Sequence, residues 1–219
     1  MRACVVTFPG SNCDRDLAVA FERVLGVRVD RVWHKRTRLD RYDLIGIPGG
    51  FSYGDHLRPG AIAARSPVMQ EVVRQANDGA LVLGPCNGFQ ILTEAGLLPG
   101  ALIRNRGLAF VCRRVDLVVE GTDSPYTRGL ERGRTLRLPI AHHDGGYVVD
   151  DEGLRRLEGE GRIALRYKDN PNGSTADIAG VLGGPRNNVL GLMPHPERAI
   201  EPLLGGVDGR ALLAPLLAA

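Results

Sequence analysis

The sequence predicts an α/β protein: a single open, mainly parallel twisted sheet with helices on both faces and a small antiparallel patch. Three observations predict it. Short, continuous apolar runs such as Ala80 to Leu83 have the length and composition of strands buried on both faces. Stretches of helical spacing alternate with these runs across short loops, the rhythm of βαβ units. After Gly96 the texture changes to β-rich segments with turn-rich connections, which suits antiparallel pairing against the main sheet.

Taken in order, Arg2 to Phe8 reads as the first strand, ending at Pro9-Gly10. Ser11 or Asn12 can cap the helix that follows. Its apolar positions Leu17, Ala20, Phe21, Val24 and Leu25 keep helical spacing until Gly26 stops it. Val27 to Trp33 is a second strand and Asp43 to Ile47 a third. The third strand runs into a loop from Pro48 to Gly60 that carries four glycines and two prolines at a strand's C-terminal end, the edge where open α/β sheets bind ligands. Ser66-Pro67 opens a helix through Ala76, and Gly79 lies beyond it. Ala80 to Leu83 is a strand, followed at once by helix-compatible Phe89 to Ala95. Ala101 to Arg104, Phe110 to Val119, Leu136 to Ala141, Arg162 to Tyr167, Asp177 to Leu182 and Val189 to Met193 read as further strands, and Leu154 to Leu157 as a short helix. Ala211 to Ala219 is apolar but short and reads as a docking helix. With no internal repeat, low-complexity segment or linker, residues 1–219 are expected to form one domain.

Composition excludes several functions. The 28 basic residues exceed the 25 acidic ones by only three and form no long basic run, so nucleic acid is not an expected partner. No apolar stretch approaches the ~20 residues that span a bilayer, so no membrane is expected either. Cys4, Cys13, Cys86 and Cys112 show no C-x-x-C pairing, and a reducing cytoplasm is the expected location. No Cys/His set has ligand spacing, so no metal is expected.

The chemistry centres on Gly84-Pro85-Cys86-Asn87-Gly88, between a strand and a helix. Glycines two residues either side of Cys86 let the chain turn sharply and lift the thiol above the sheet at a helix N-terminus. Unpaired N–H groups there, Asn87's among them, can hydrogen-bond an oxyanion forming beside the sulfur. The bland reading is a buried structural cysteine at a tight turn. A hundred residues on, Val189 to Met193 ends in Pro194-His195-Pro196-Glu197-Arg198. Pro196 biases His195 away from helix, so an extended segment is expected in which His195 and Glu197 project to one side. The carboxylate would fix the imidazole tautomer, leaving the other nitrogen to take a thiol proton.

Together with Pro48-Gly49-Gly50-Phe51-Ser52-Tyr53-Gly54-Asp55, these motifs resemble the class I (triad) glutamine amidotransferases. Within them, Gly49 to Asp55, Asn170 to Ser174 and Pro139 to His142 resemble the glutaminase subunits of phosphoribosylformylglycinamidine synthases of purine biosynthesis. The resemblance implies a flavodoxin-like sheet and a glutaminase with Cys86 as nucleophile, His195 as general base and acid, and Glu197 orienting His195. It also implies an oxyanion hole from the amides of Asn87 and of the Gly50-Phe51 turn, with Gln90 helping to hold glutamine. By the same resemblance the chain needs no cofactor of its own. ATP and magnesium would sit on a large synthetase subunit that receives the ammonia, with a small bridging subunit as third partner. The loop from Phe51 to Pro59 is the expected docking or gating surface. One departure from the family pattern stands out: His142-His143-Asp144-Gly145 occurs where the family usually has His-Gly-Glu-Gly. Rival readings are a γ-glutamyl hydrolase or peptidase of related fold, and a non-catalytic scaffold subunit.

Overall fold

The computed structural model describes residues 1–218. In chain order the elements are β1 (Ala3–Thr7), α1 (Asp14–Leu25), β2 (Val29–Trp33), β3 (Leu44–Gly46), α2 (Pro67–Asn77), β4 (Leu81–Pro85), α3 (Asn87–Glu94), β5 (Ala101–Ile103), β6 (Val111–Val119), β7 (Thr135–His142), β8 (Gly146–Val148), α4 (Asp151–Gly159), β9 (Ile163–Tyr167), β10 (Ile178–Gly183), β11 (Val189–Leu192) and α5 (Arg210–Leu213). Among the described residues, nine strands form one sheet in the order β2-β1-β3-β4-β11-β10-β9-β6-β7, and β5 and β8 form a separate antiparallel pair.

Pairing is parallel from β2 to β11 and antiparallel from there to β7. The β5–β8 pair is the small antiparallel patch expected, and β10, β9, β6 and β7 extend the main sheet in antiparallel pairing. Its hairpin-like β6–β7 pairing runs from Val111↔His142 to Val118↔Thr135.

Apolar side chains cover both faces. On one, Leu17, Phe21 and Leu25 of α1 pack with Leu212 and Leu213 of α5 against Val5, Leu83 and Leu190. On the other, Val68 and Val72 of α2 and Phe89 and Ile91 of α3 pack against Val6, Ile45 and Val82. These helices are amphipathic because their apolar residues recur at helical spacing, and burying that stripe is what holds short helices on a sheet.

Local chemistry sets the ends. Gly26 adopts φ 66° and its N–H reaches Glu22 O at 3.0 Å, closing α1 as expected. The expected cap by Ser11 or Asn12 does not form: Cys13 occupies that position, Ser11 Oγ accepts from Phe8 N–H, and Asn12 Oδ1 accepts from the Cys13 thiol. The helix at Leu154–Leu157 is longer than expected, because Asp150 Oδ1 accepts from Gly153 N–H and starts α4 a full turn earlier. At the C-terminus α5 and the 3₁₀ turn after it bury Leu212, Leu213 and Leu216, while Ala219 lies outside the described residues. Among the described residues no helix is long and apolar enough to cross a membrane.

Candidate active site

Three strand ends converge on one point. β4 pairs in parallel with β11, Leu192 lies opposite Pro85, and Cys86 N–H donates to Leu192 O at 2.8 Å. Chain leaving β4 and chain leaving β11 therefore emerge side by side, which brings Cys86 next to His195. On the other flank of β4 lies β3, whose exit carries Gly49 and Gly50. A Cβ built on Gly49 would sit 2.8 Å from His195 Cε1, 3.2 Å from Cys13 Sγ and 3.4 Å from Cys86 Cβ. Glycine is needed there so that the three groups can close around it.

Cys86 is at φ 51°, ψ −110°, a region that non-glycine residues rarely adopt. Cys86 itself thus carries the strain expected of the flanking glycines, which serve a different purpose. A Cβ on Gly88 would collide with the Ile47 carbonyl, and one on Gly84 would lie 2.8 Å from the Gly88 backbone. The two glycines let α3 start in contact with the strand ends. Cys86 is buried, and its thiol lies 3.7 Å from Ala141 O.

His195 and Glu197 are both 1 % exposed, and His195 Nδ1 meets Glu197 Oε1 at 2.6 Å. The expected extended segment is instead a 3₁₀ turn, Pro196–Arg198, with His195 at its start. The turn folds Glu197 back onto Nδ1, so the two residues meet by a route other than strand alternation. With Nδ1 engaged, Nε2 has no hydrogen-bond partner among the described residues and is left for an incoming proton. Burial opposes charge on this imidazole, but Glu197, Cys86 and Cys13 override it and hold His195 well above the usual histidine range.

Two backbone donors next to the Cys86 turn and the β3 exit are free among the described residues. Asn87 starts α3, and neither its N–H nor that of Gly50 makes a hydrogen bond among the described residues. Phe51 does not share this role: its N–H is taken by Gly10 O at 3.0 Å. Of the Gly50-Phe51 turn, only Gly50 retains a free donor. The Asn87 side chain braces the turn by accepting from Ser52 N–H at 3.2 Å. Gln90 is buried and both ends of its amide are engaged: Asn87 Nδ2 donates to Oε1 at 2.8 Å, and Nε2 donates to Asp144 O at 2.6 Å. It ties α3 to the β7–β8 loop.

The same loop accounts for the departure at positions 142–145. His142 is buried, and Asn105 Oδ1 lies 3.0 Å from its Nδ1. Burial first, and His195 second, push it down to about 4, so it stays neutral. His143 Nε2 reaches Leu108 O at 3.2 Å, and Asp144 pairs with Arg104 at 3.1 Å. Both substituted positions therefore brace the Arg104–Leu108 segment.

Cys13 was not assigned by sequence reasoning, yet one donor atom each from Cys13, His195 and Glu197 lie within 4.8 Å of one another. Each is already hydrogen-bonded within the protein. Cys13 stands immediately before α1, six residues past the end of β1, a place with no distinguishing sequence signal.

Asp55, in the loop above the site, is pushed up to about 6 by burial and by the nearby Asp144. A carboxyl raised in the folded state costs nothing below its unfolded value near 3.9 and costs most above about 6. Asp55→Asn is therefore expected to raise Tm at pH 8 and leave it unchanged at pH 4. After discounting for partial exposure, the gain is about 1 kcal/mol, or ~3 °C, measured by thermal unfolding at both pH values. Asn also tolerates the φ of 55° at this position.

Residues 1–205 match the family of CobB/CobQ-like glutamine amidotransferase domains. A phosphoribosylformylglycinamidine synthase subunit PurQ of Cereibacter sphaeroides is 62% identical over 218 residues, covering 99% of this chain and 97% of that protein. The subunit of the same name from Brucella suis is 56% identical over 220 residues, covering 99% and 98%. Among solved structures, PurLQS from Thermotoga maritima includes a chain with 50% identity and a TM-score of 0.91, covering 99% of this chain and 97% of that one. The acivicin-bound glutaminase domain of Trypanosoma brucei CTPS shares the fold at 15% identity, with a TM-score of 0.64 and coverage of 100% and 93%.

Proposed function

This chain belongs to the CobB/CobQ-like glutamine amidotransferase family, and from that premise we propose that Cys86, His195 and Glu197 are its catalytic triad. The chain is the glutaminase subunit of a phosphoribosylformylglycinamidine synthase, and it works with a larger synthetase subunit and a small subunit. The observation that carries the triad is the parallel β4–β11 pairing, which sets Cys86 beside a buried imidazole whose Nδ1 is held by Glu197 at 2.6 Å.

In the proposed reaction, the proton shared by Cys86 and His195 rests on the imidazole, whose charged form Glu197 supports, and the Cys86 sulfur attacks the carboxamide carbon of glutamine. The N–H groups of Gly50 and Asn87 stabilise the oxyanion. His195 then protonates the departing ammonia, and afterwards activates the water that hydrolyses the glutamyl thioester to glutamate. Glu197 keeps the imidazole in the tautomer and orientation that both proton transfers need. Gln90 helps to hold the glutamine, and its tie to the Asp144 carbonyl fixes its place beside Asn87. Ammonia passes to the synthetase subunit, where ATP and magnesium drive amidine formation from formylglycinamide ribonucleotide. No step in this chain uses either. We take residues 1–219 as a single domain; the unbroken sheet from β2 to β7 supports this. The complex works in the cytoplasm, where a reducing environment suits a cysteine nucleophile.

The loop from Phe51 to Pro59 is the proposed docking and gating surface. Tyr53, Gly54, Asp55 and Leu57 all have positive φ, and Leu57 is 84% exposed. Two contacts hold this strained loop in place. Tyr53 Oη lies 3.0 Å from His34 Nδ1, and Arg58 makes a two-pronged pair with Glu94 at 2.5 and 2.7 Å. Glutamate release is expected to rise when the purified synthetase subunits and their substrates are added. Tyr53→Phe combined with Arg58→Ala should cut that rise by roughly tenfold, the effect of two lost tethers. Unchanged partner affinity and unchanged coupling in this variant would remove the loop from the proposal.

A further inference from the structure

Arg198 directly follows Glu197 in the sequence, and both line a groove of about 560 Å³ behind the triad. A guanidinium can give a carboxylate two parallel charge-assisted hydrogen bonds, a stronger partnership than one imidazole N–H can make. Glu197 Oε2 is buried and has no hydrogen-bond partner among the described residues, so one oxygen is open to such a competitor. The Arg198 side chain is directed elsewhere. Its Nε donates to Asp16 Oδ2 at 2.9 Å and its Nη2 donates to Cys13 Sγ at 3.1 Å. The Cys13 thiol donates onward to Asn12 Oδ1 at 3.1 Å, which leaves the sulfur lone pairs to accept from Arg198. The other charged groups facing the groove are Arg15 and Arg23 of α1, Arg114 of β6, and Glu201. Arg23 pairs with Glu201, and Arg114 donates to the Leu204 carbonyl. Asp16 is thus the groove carboxylate that answers Arg198. Cys86 and the neutral His142 are the titratable groups on the opposite side of the imidazole.

We propose that Asp16 and Cys13 are positioning residues that hold the Arg198 guanidinium away from Glu197, and so keep that carboxylate committed to His195. The inference rests on the triad reading above. When the clamp is broken, Arg198 swings onto Glu197, the His195–Glu197 hydrogen bond is shared or lost, and the imidazolium formed on proton transfer loses its counter-charge.

The test uses the assembled synthase and glutamate release from glutamine across pH. Asp16→Asn, which keeps shape and removes charge, is expected to lower kcat roughly tenfold with little change in KM, the size of one charge-assisted hydrogen bond. The alkaline limb of its pH profile should move to lower pH, because His195 loses stabilisation of its charged form. Adding Arg198→Ala to Asp16→Asn removes the competitor and should restore kcat and the pH limb toward those of Arg198→Ala alone. A merely structural role for Asp16 predicts additive losses instead. A wild-type rate in Asp16→Asn, or a double variant as slow as Asp16→Asn, would overturn the clamp. Cys86→Ser is assayed beside them: turnover surviving in that variant would overturn the triad itself, whereas a silent Cys86→Ser with a normal Asp16→Asn would overturn only the clamp.

Discussion

Cys86→Ala is expected to lower glutamine hydrolysis by at least about 10⁴-fold, ~5.5 kcal/mol of transition-state stabilisation, while the chain stays folded. The sulfur is the atom that would bond to substrate, and the nearby Cys13 sulfur is already engaged by Arg198 and Asn12. Alanine retains the backbone strain at φ 51° but removes the chemistry. Cys86→Gly is the informative companion. It should be equally inactive yet more stable than Cys86→Ala, by about 1 kcal/mol, because glycine relieves the strained conformation. Activity assays and thermal unfolding on the same three proteins separate the two effects. Equal stability of the glycine and alanine variants would show that the turn stores no strain.

The second large effect is expected at a residue with no reactive group. Gly49→Ala would put a methyl 2.8 Å from His195 Cε1, 3.2 Å from Cys13 Sγ and 3.4 Å from Cys86 Cβ. None of these is the free end of a flexible chain. The imidazole is held by Glu197 on one side and is fully buried, so it must shift away from the thiol, and misplacement by as little as about 1 Å costs roughly 10²-fold. The loss should fall on kcat. The methyl acts on the imidazole and the thiol rather than on a side chain proposed to hold substrate. A Gly49→Ala variant with unaltered kcat would mean that the imidazole does not need its observed position.

The parallel half of the fold was legible in the sequence because its strands are buried on both faces and read as continuous apolar runs, bounded by Gly26, Gly79 and the Gly84–Gly88 turn. The antiparallel half was legible as strands but not as a sheet. Which strands pair depends on contacts such as Leu117↔Tyr167, separated by fifty residues of chain, which no local pattern encodes. The proposed triad could be read because Cys86, His195 and Glu197 sit at strand exits marked by Gly and Pro. The manner in which His195 meets Glu197 could not: Pro196 excludes helix at the preceding residue but does not choose between an extended chain and a 3₁₀ turn. Phe51 was misread because the fate of one backbone N–H depends on Gly10, forty-one residues upstream. Cys13, Asp16 and Arg198 were missed for the same reason. Their hydrogen bonds join the two ends of the chain through α1, and each residue taken alone has an ordinary local context.

The most direct test of the central claim is to quench the synthase with acid during glutamine turnover and locate the glutamyl adduct by mass spectrometry. The triad reading predicts a glutamyl thioester on the peptide carrying Cys86 in the wild-type synthase during turnover, and no adduct on that peptide in Cys86→Ala. Glutamate release with no adduct at Cys86, or with the adduct on Cys13, would contradict it.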